Sequence, residues 1–265
     1  MQHFLRLSEQ HTTTRRKNQS FNLLNFHTDG NTEETKMTKA PIAVALDAPD
    51  LASARQWATQ VGPYVSVVKV GLEVFLRDGH ESVHVARDAS GCDIFLDLKL
   101  HDIPATVAGA AHSVATLTPK FLTVHASGGA EMVKAAADAL PDTLITAVTV
   151  LTSLSQEQLT DMMWSGSAQD IVRRLAAQSV AAGARAIVCS PQEVAAVRSE
   201  VGTGIVLITP GVRPAGSDAG DQKRIATPEQ ALADGADLLV IGRPITGAPD
   251  RGQAAREIAE SLVGR

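Results

Sequence analysis

Cysteine, aromatic residues, long apolar runs and excess positive charge are all scarce in this chain. Only Cys92 and Cys189 occur, far apart, with no CxxC and no His-rich cluster beside them. Neither a disulfide framework nor a zinc site is expected from that pattern, and a reducing cytoplasm suits it best. Aromatic residues make up 3% of the chain, too few for the stacking platforms of single-strand nucleic-acid binders. A net charge of −5 supplies no global basic field to attract nucleic acid. No run of 18 apolar residues is present, so no membrane-spanning helix is expected.

What remains is ordinary for a soluble globular protein: 265 residues, 44% hydrophobic and 20% charged. That length suits one large domain, and an α/β barrel typically takes about 250 residues. Residues 1–38 differ from the rest, being polar, rich in Thr, Asn, Gln and His, and without a sustained apolar period. Phe21–Phe26 is too short and too interrupted for the apolar core of a signal peptide, and Arg15-Arg16 resembles a twin-arginine start only superficially. Glu9, Asp29, Glu33 and Glu34 argue against an organelle-targeting segment. The expectation is a disordered extension or a mis-called start, with Met37 as the natural first residue.

From Ala40 a rhythm begins. Short β-branched runs recur at Ile42–Asp47, Val65–Val70, Asp93–Lys99, Phe121–His125, Leu144–Val150, Ala184–Cys189, Ile205–Thr209 and Asp237–Ile241. Ala-rich segments with helical spacing lie between them. Ile103, Val107, Ala110, Val114 and Leu117 form one such face, and Ala254, Ile258 and Leu262 another. Eight strands alternating with eight helical segments predict a parallel sheet with helical crossovers. At this length a closed (β/α)8 TIM barrel is favoured over an open doubly wound sheet. With no linker or composition break, residues 39–265 read as a single barrel domain.

Active sites of such barrels lie at the C-terminal ends of the strands. Polar residues gather there: Asp47 after strand one, Lys69 in strand two, Asp97 and Lys99 in strand three, His125 after strand four. Alternation on strand three puts Phe95, Asp97 and Lys99 on one face and Ile94, Leu96, Leu98 and Leu100 on the other. Asp102 falls in the following turn, just before Ile103-Pro104 opens a helix. Lys69, Asp97, Lys99 and Asp102 thus form two cations and two anions near one barrel mouth. A charge network that merely closes the barrel is the plainer alternative, but desolvating so many charges without a function is costly. A Lys held between carboxylates can act as a general acid, and a carboxylate fixed beside a substrate carboxylate would favour loss of CO2.

Gly242-Arg243 follows strand eight, where barrels often bind phosphate, and the long polar loop from Pro210 to Arg224 offers Arg213 and Gln222 as further donors and a possible lid. A surface arginine and a mobile loop are the plain alternatives. His125 reads as structural, and His101 as supporting the charged cluster. Thr106 has a local hydrogen bond as its default, while Thr152-Ser153 could donate to a ligand ring or simply make a turn.

Asp97-Leu98-Lys99-Leu100-His101-Asp102-Ile103-Pro104-Ala105-Thr106 resembles the signature of the orotidine 5′-phosphate decarboxylase family. So do Ala45-Leu46-Asp47, Val68-Lys69-Val70-Gly71, Thr209–Pro214, Gly220-Asp221-Gln222 and Ile241–Ile245, in the family's order. The match is nearest to the single-function bacterial form. The resemblance implies a cytoplasmic barrel homodimer that converts orotidine 5′-phosphate to UMP and CO2 in de novo pyrimidine synthesis, without metal or organic cofactor. It implies that Lys99 protonates the carbon that loses CO2, that Asp97 lies against the departing carboxylate and that Lys69 orients Asp97 while contacting the ribose. Asp102 would reach into the neighbouring subunit's site. Asp47 would bind ribose, Thr106 a ribose hydroxyl of the partner's ligand, Thr152 the pyrimidine region, and Arg213, Gln222, Gly242 and Arg243 the phosphate side. Two alternatives stand beside this. Metal-dependent sugar-phosphate sister enzymes resemble the strand-three motif but usually place Glu where Lys69 stands, and a non-catalytic nucleotide-binding barrel would share the fold.

Overall fold

The computed structural model describes residues 39–214 and 226–263. The N-terminal segment 1–38, most of the expected lid loop (215–224 of Pro210–Arg224) and Gln222 within it lie outside the described residues. Eight parallel strands close into a barrel in sequence order: β1 Ala40–Ala45, β2 Val65–Gly71, β3 Asp93–Leu100, β4 Phe121–His125, β5 Leu144–Val148, β6 Ala186–Val188, β7 Val206–Thr209 and β8 Leu238–Ile241. The β1–β8 pairing, with Ala43 opposite Val240, closes the circle. Each strand is buried on both faces, which is why these segments read as continuous β-branched runs rather than as half-polar strands.

Helices α1 Leu51–Val61, α2 Leu72–Asp78, α3 His80–Ser90, α4 Pro104–Ser113, α5 Ala130–Ala139, α6 Gln156–Asp161, α7 Ala168–Ala181, α8 Val194–Val201, α9 Pro228–Ala233, α10 Arg243–Thr246 and α11 Arg251–Val263 alternate with the strands. The expected one-helix-per-strand pattern is too simple, because two helices follow β2, β5 and β8. Local signals set the helix starts. Asp50 accepts the Ser53 N–H at 2.7 Å, Ser155 and Gln158 form a capping box, and Pro104 occupies the first turn of α4.

Two expected helix faces are out of phase. Ile103 precedes α4 with an extended ψ of 153° and is 65% exposed, so it stands off the helical wheel. The buried positions of α4 are Val107 and Ala111, not Ala110, and Val114 and Leu117 continue the apolar path beyond it. In α11 the buried residues are Ala255, Ile258 and Ala259, with Ala254 only half-buried.

The core has two parts. The larger lies between barrel and helices, where Ile94 and Leu96 of β3 meet Val107, Ala111 and Leu117. The smaller fills the lower lumen with one residue from each strand: Ala43, Val67, Phe95, Phe121, Leu144, Ala186, Ile208 and Leu238. The Phe95 and Phe121 rings lie 5.6 Å apart, and the small Ala43 and Ala186 offset their bulk. This apolar plug is the floor of the site above it.

Candidate active site

Two residues beyond the plug, the inward positions change character. Lys69, Asp97, Thr123 and Thr146 stand on β2 to β5. Lys69 and Thr123 meet Lys99 at Asp97, which is buried to 8% exposure. Lys99 Nζ donates to Asp97 Oδ1 at 2.8 Å, Thr123 Oγ1 donates to the same oxygen at 3.0 Å, and Lys69 Nζ lies 3.2 Å from Oδ2. Burial pushes the Asp97 carboxyl toward its neutral form. The two ammonium groups and the hydrogen bonds of Lys99 and Thr123 outweigh it, so its pKa falls below the ordinary value and it stays ionised. Lys69 also lies 3.9 Å from Asp47 Oδ1, forming a chain Asp47–Lys69–Asp97–Lys99 across the mouth.

Backbone geometry places these groups. A Cβ on Gly71 would sit 3.0 Å from Lys69 Nζ and 3.2 Å from Asp47 Oδ1, so the glycine keeps open the space those side chains need. Lys99 has a φ of +50°, the left-handed region that a residue with a side chain rarely adopts. Between Leu96 and Leu100 the β3–β4 register shifts. A bulge, rather than plain strand alternation, therefore aims Lys99 at Asp97.

The other expected residues are arranged around this centre. Asp102 follows β3, is exposed, and accepts the Ile103 N–H at 2.6 Å. Among the described residues of this chain it forms no ion pair with Lys69 or Lys99. Thr106 is exposed in the first turn of α4, and Thr152 is half-buried beyond β5. Arg213 is 8% exposed after β7, where its Nη1 donates to Val212 O at 2.9 Å and Val212 bridges Ala226. Gly242 and the exposed Arg243 follow β8 directly, Arg243 opening α10. His101 and His125 pack with ring centroids 5.2 Å apart. Burial, then His101 and Lys99, hold His125 below the usual imidazole pKa, with Asp97 opposing them.

The comparisons decide what kind of barrel this is. The profile of the orotidine 5′-phosphate decarboxylase / HUMPS family matches residues 40–258, nearly the whole barrel. A Thermobifida fusca protein named orotidine 5′-phosphate decarboxylase is 65% identical over 223 residues, 84% of this chain and 96% of its own length. The chain belongs to the orotidine 5′-phosphate decarboxylase / HUMPS family. A Frankia casuarinae protein of the same name is 55% identical over 241 residues, 84% of this chain and 88% of its own. The crystal structure of orotidine 5′-phosphate decarboxylase from Lactobacillus acidophilus superimposes with a TM-score of 0.74 at 33% identity, covering 85% of this chain and all of that one.

Within this family frame, Thr123 is the residue that sequence reasoning passed over. A signal for it exists: in Phe121-Leu122-Thr123-Val124-His125 it is the polar residue at an inward position, two before a strand end. It is fully buried, and a buried hydroxyl on a lumen face needs partners.

Proposed function

We propose that this chain decarboxylates orotidine 5′-phosphate to UMP and CO2, the closing step of de novo pyrimidine nucleotide synthesis. The observation that carries this reading is Asp97 held ionised between Lys69 and Lys99 at the mouth of a barrel of this family. A substrate carboxylate brought beside Asp97 meets a fixed negative charge. Breaking its bond to the ring removes that repulsion and leaves the electron pair on the ring carbon. The Lys99 ammonium, already in place on the other side of Asp97, neutralises the developing charge and delivers the proton to that carbon. Lys69 holds the opposite carboxylate oxygen of Asp97 and reaches toward Asp47, where the ribose would bind.

In this reading Arg213, Gln222, Gly242 and Arg243 receive the phosphate and Thr152 the pyrimidine region. Phosphate held far from the reacting carbon lets binding free energy drive closure and appear in the transition state. Asp102 and Thr106 serve the site of a second copy in a homodimer. Two observations support that role: among the described residues Asp102 makes no ion pair with Lys69 or Lys99, and exposed apolar side chains lie after two adjacent strands. These are Leu72 and Leu76 after β2, 43% and 78% exposed, and Ile103 after β3, 65% exposed. We place the reaction in the cytoplasm, where buried thiols such as Cys92 and Cys189, which form no disulfide among the described residues, persist.

The magnesium-dependent alternative fits less well. Lys69 Nζ lies between the Asp47 and Asp97 carboxylates, 3.9 and 3.2 Å away, and an ammonium there repels a divalent cation seeking the same oxygens. The deciding measurement is the ultraviolet absorbance of orotidine 5′-phosphate with purified protein, with and without EDTA. Turnover unaffected by EDTA is expected. Turnover lost to EDTA and restored by magnesium would overturn the cofactor-free mechanism. Binding of UMP with no absorbance change would leave a non-catalytic barrel.

A further inference from the structure

Among the described residues the Thr123 hydroxyl forms no hydrogen bond with a group assigned to substrate binding, yet it joins the two groups on which the proposed chemistry depends. The Lys99 backbone N–H donates to Thr123 Oγ1 at 2.8 Å, and Thr123 Oγ1 donates to Asp97 Oδ1 at 3.0 Å. Those two bonds fix the direction of the chain. An amide N–H can only donate, so the hydroxyl offers it a lone pair. An ionised carboxylate can only accept, so the single hydroxyl proton goes to Asp97. The arrangement is fully satisfied with Asp97 ionised and the Lys99 amide turned toward β4.

That amide is turned because the ladder breaks here. Pairing resumes at Leu100 with Val124 after leaving off at Leu96 with Leu122, four residues on β3 against two on β4. The surplus residues form the bulge in which Lys99 takes its φ of +50°. The Thr123 side chain receives the Lys99 N–H. Left unmet, a part-buried N–H at a strained residue costs free energy, and the backbone would relax toward a regular ladder. Relaxation would carry Lys99 Nζ away from Asp97.

We infer that Thr123 is a positioning residue of this reaction: its hydroxyl clamps the β3 bulge that aims the Lys99 ammonium and at the same time orients the Asp97 carboxylate. The inference rests on the decarboxylase reading for its kinetic consequence and on the hydrogen bonds alone for its structural one. The plain alternative is a buried threonine whose hydroxyl happens to be satisfied, as Thr146 is by Leu144 O at 2.9 Å. Among the described residues Thr146 forms no hydrogen bond with the charged cluster, which makes it the internal control.

The test compares Thr123→Val, Thr123→Ser and Thr146→Val. Valine keeps the shape and removes the hydroxyl, while serine keeps the hydroxyl. Thr123→Val is expected to lower kcat about 10- to 100-fold, as for an unmet buried donor, while KM stays within about threefold. Thr123→Ser should regain most of the loss, and Thr146→Val should keep kcat near wild type. Exchange of the Lys99 amide, followed by NMR, should speed up in Thr123→Val alone. A Thr123→Val kcat within about twofold of wild type would overturn the kinetic role. An unchanged Lys99 amide in that variant would overturn the clamp itself, whatever the substrate turns out to be. Wild-type protein inert toward orotidine 5′-phosphate would sink the decarboxylase reading instead, with the exchange experiment still deciding the clamp. Should Thr123→Val not fold, Thr123→Ser decides: the hydroxyl role requires near-wild-type exchange and turnover, and loss of both overturns it.

Discussion

The lower and upper halves of the barrel lumen are built from the same strands, two residues apart, and obey opposite rules. Below, every strand contributes an apolar side chain, so that Phe95 and Phe121 pack against Val67, Leu144 and Ile208. Above, the inward positions split by sector: Lys69, Asp97, Thr123 and Thr146 face in from β2 to β5, while Ala45, Val188 and Val240 face in from β1, β6 and β8. The difference is instructive because one half creates the conditions for the other. A dry floor beneath the charged sector keeps water off the underside of Asp97 and lowers the local dielectric, which strengthens each charge interaction above it. The sector opposite, with Ala45, Val188 and Val240, offers no side-chain hydrogen bond. β3 carries both roles in alternate residues, from Phe95 through Asp97 to Lys99.

If the division holds, damage to the Asp97 cluster should remove chemistry and damage to the lower half should remove stability. The largest effect is expected for Lys99→Ala. Loss of the proposed proton donor and of a preplaced cation should reduce turnover of orotidine 5′-phosphate by at least ~10³-fold, while UMP still binds. Near-normal turnover in that variant would end the assignment. In the lower half, Phe121→Ala should cost about 3–5 kcal/mol in urea unfolding, with kcat of the folded fraction changing far less than in Lys99→Ala. Equal kinetic damage from both variants would abolish the distinction.

How much of this was legible beforehand follows from the same alternation. Strands buried on both faces announce themselves as β-branched runs, so the number of strands, their order and the inward placement of Lys69 and Asp97 could be read directly. Lys99 was assigned to the right face for an incomplete reason: parity put it there, but the structure does so through a bulge and a left-handed residue, and no periodicity encodes a bulge. Ile103 was misassigned because Pro104 starts the helix, and a residue outside the helix keeps no helical phase. Thr123 stayed hidden because one threonine in a strand is normally just a β-former; only its partners give it meaning. Asp102 differs again: the role proposed for it lies in a second copy, and within one chain its carboxylate accepts the Ile103 N–H.

Next in size is Arg243→Ala. Truncating one partner of a phosphate–guanidinium pair should raise KM for orotidine 5′-phosphate by about 30-fold or more, while a phosphate-free nucleoside is nearly indifferent. Equal losses for both would count against a phosphate site after β8. A smaller signature comes from acid. The pKa of Asp97 lies below its ordinary 3.8 in the folded chain, so its ionised form adds stability that is complete above that value. The contribution disappears as pH falls through the lower native pKa. Asp97→Asn carries no such group. The stability gap between wild type and Asp97→Asn should therefore be constant near neutrality and narrow only below about pH 4. A gap independent of pH down to acid unfolding would mean that Asp97 is not held ionised by Lys69 and Lys99.

The last and smallest signal tests whether the upper half is complete in one chain. Lys69, Asp97 and Lys99 meet within a single barrel, whereas Asp102 sits exposed outside the cluster it is proposed to serve. If Asp102 completes a neighbour's site, Asp102→Ala and Lys69→Ala chains should each be nearly inactive alone. Mixed and re-equilibrated, they form heterodimers in which one site carries both defects and the other carries neither. With two-fold symmetry and random pairing, about a quarter of wild-type activity should return. The number is diagnostic because a site confined to one chain predicts no recovery at any mixing ratio. An Asp102→Ala chain that is fully active alone would instead show the exposed carboxylate to be only the partner of the Ile103 amide.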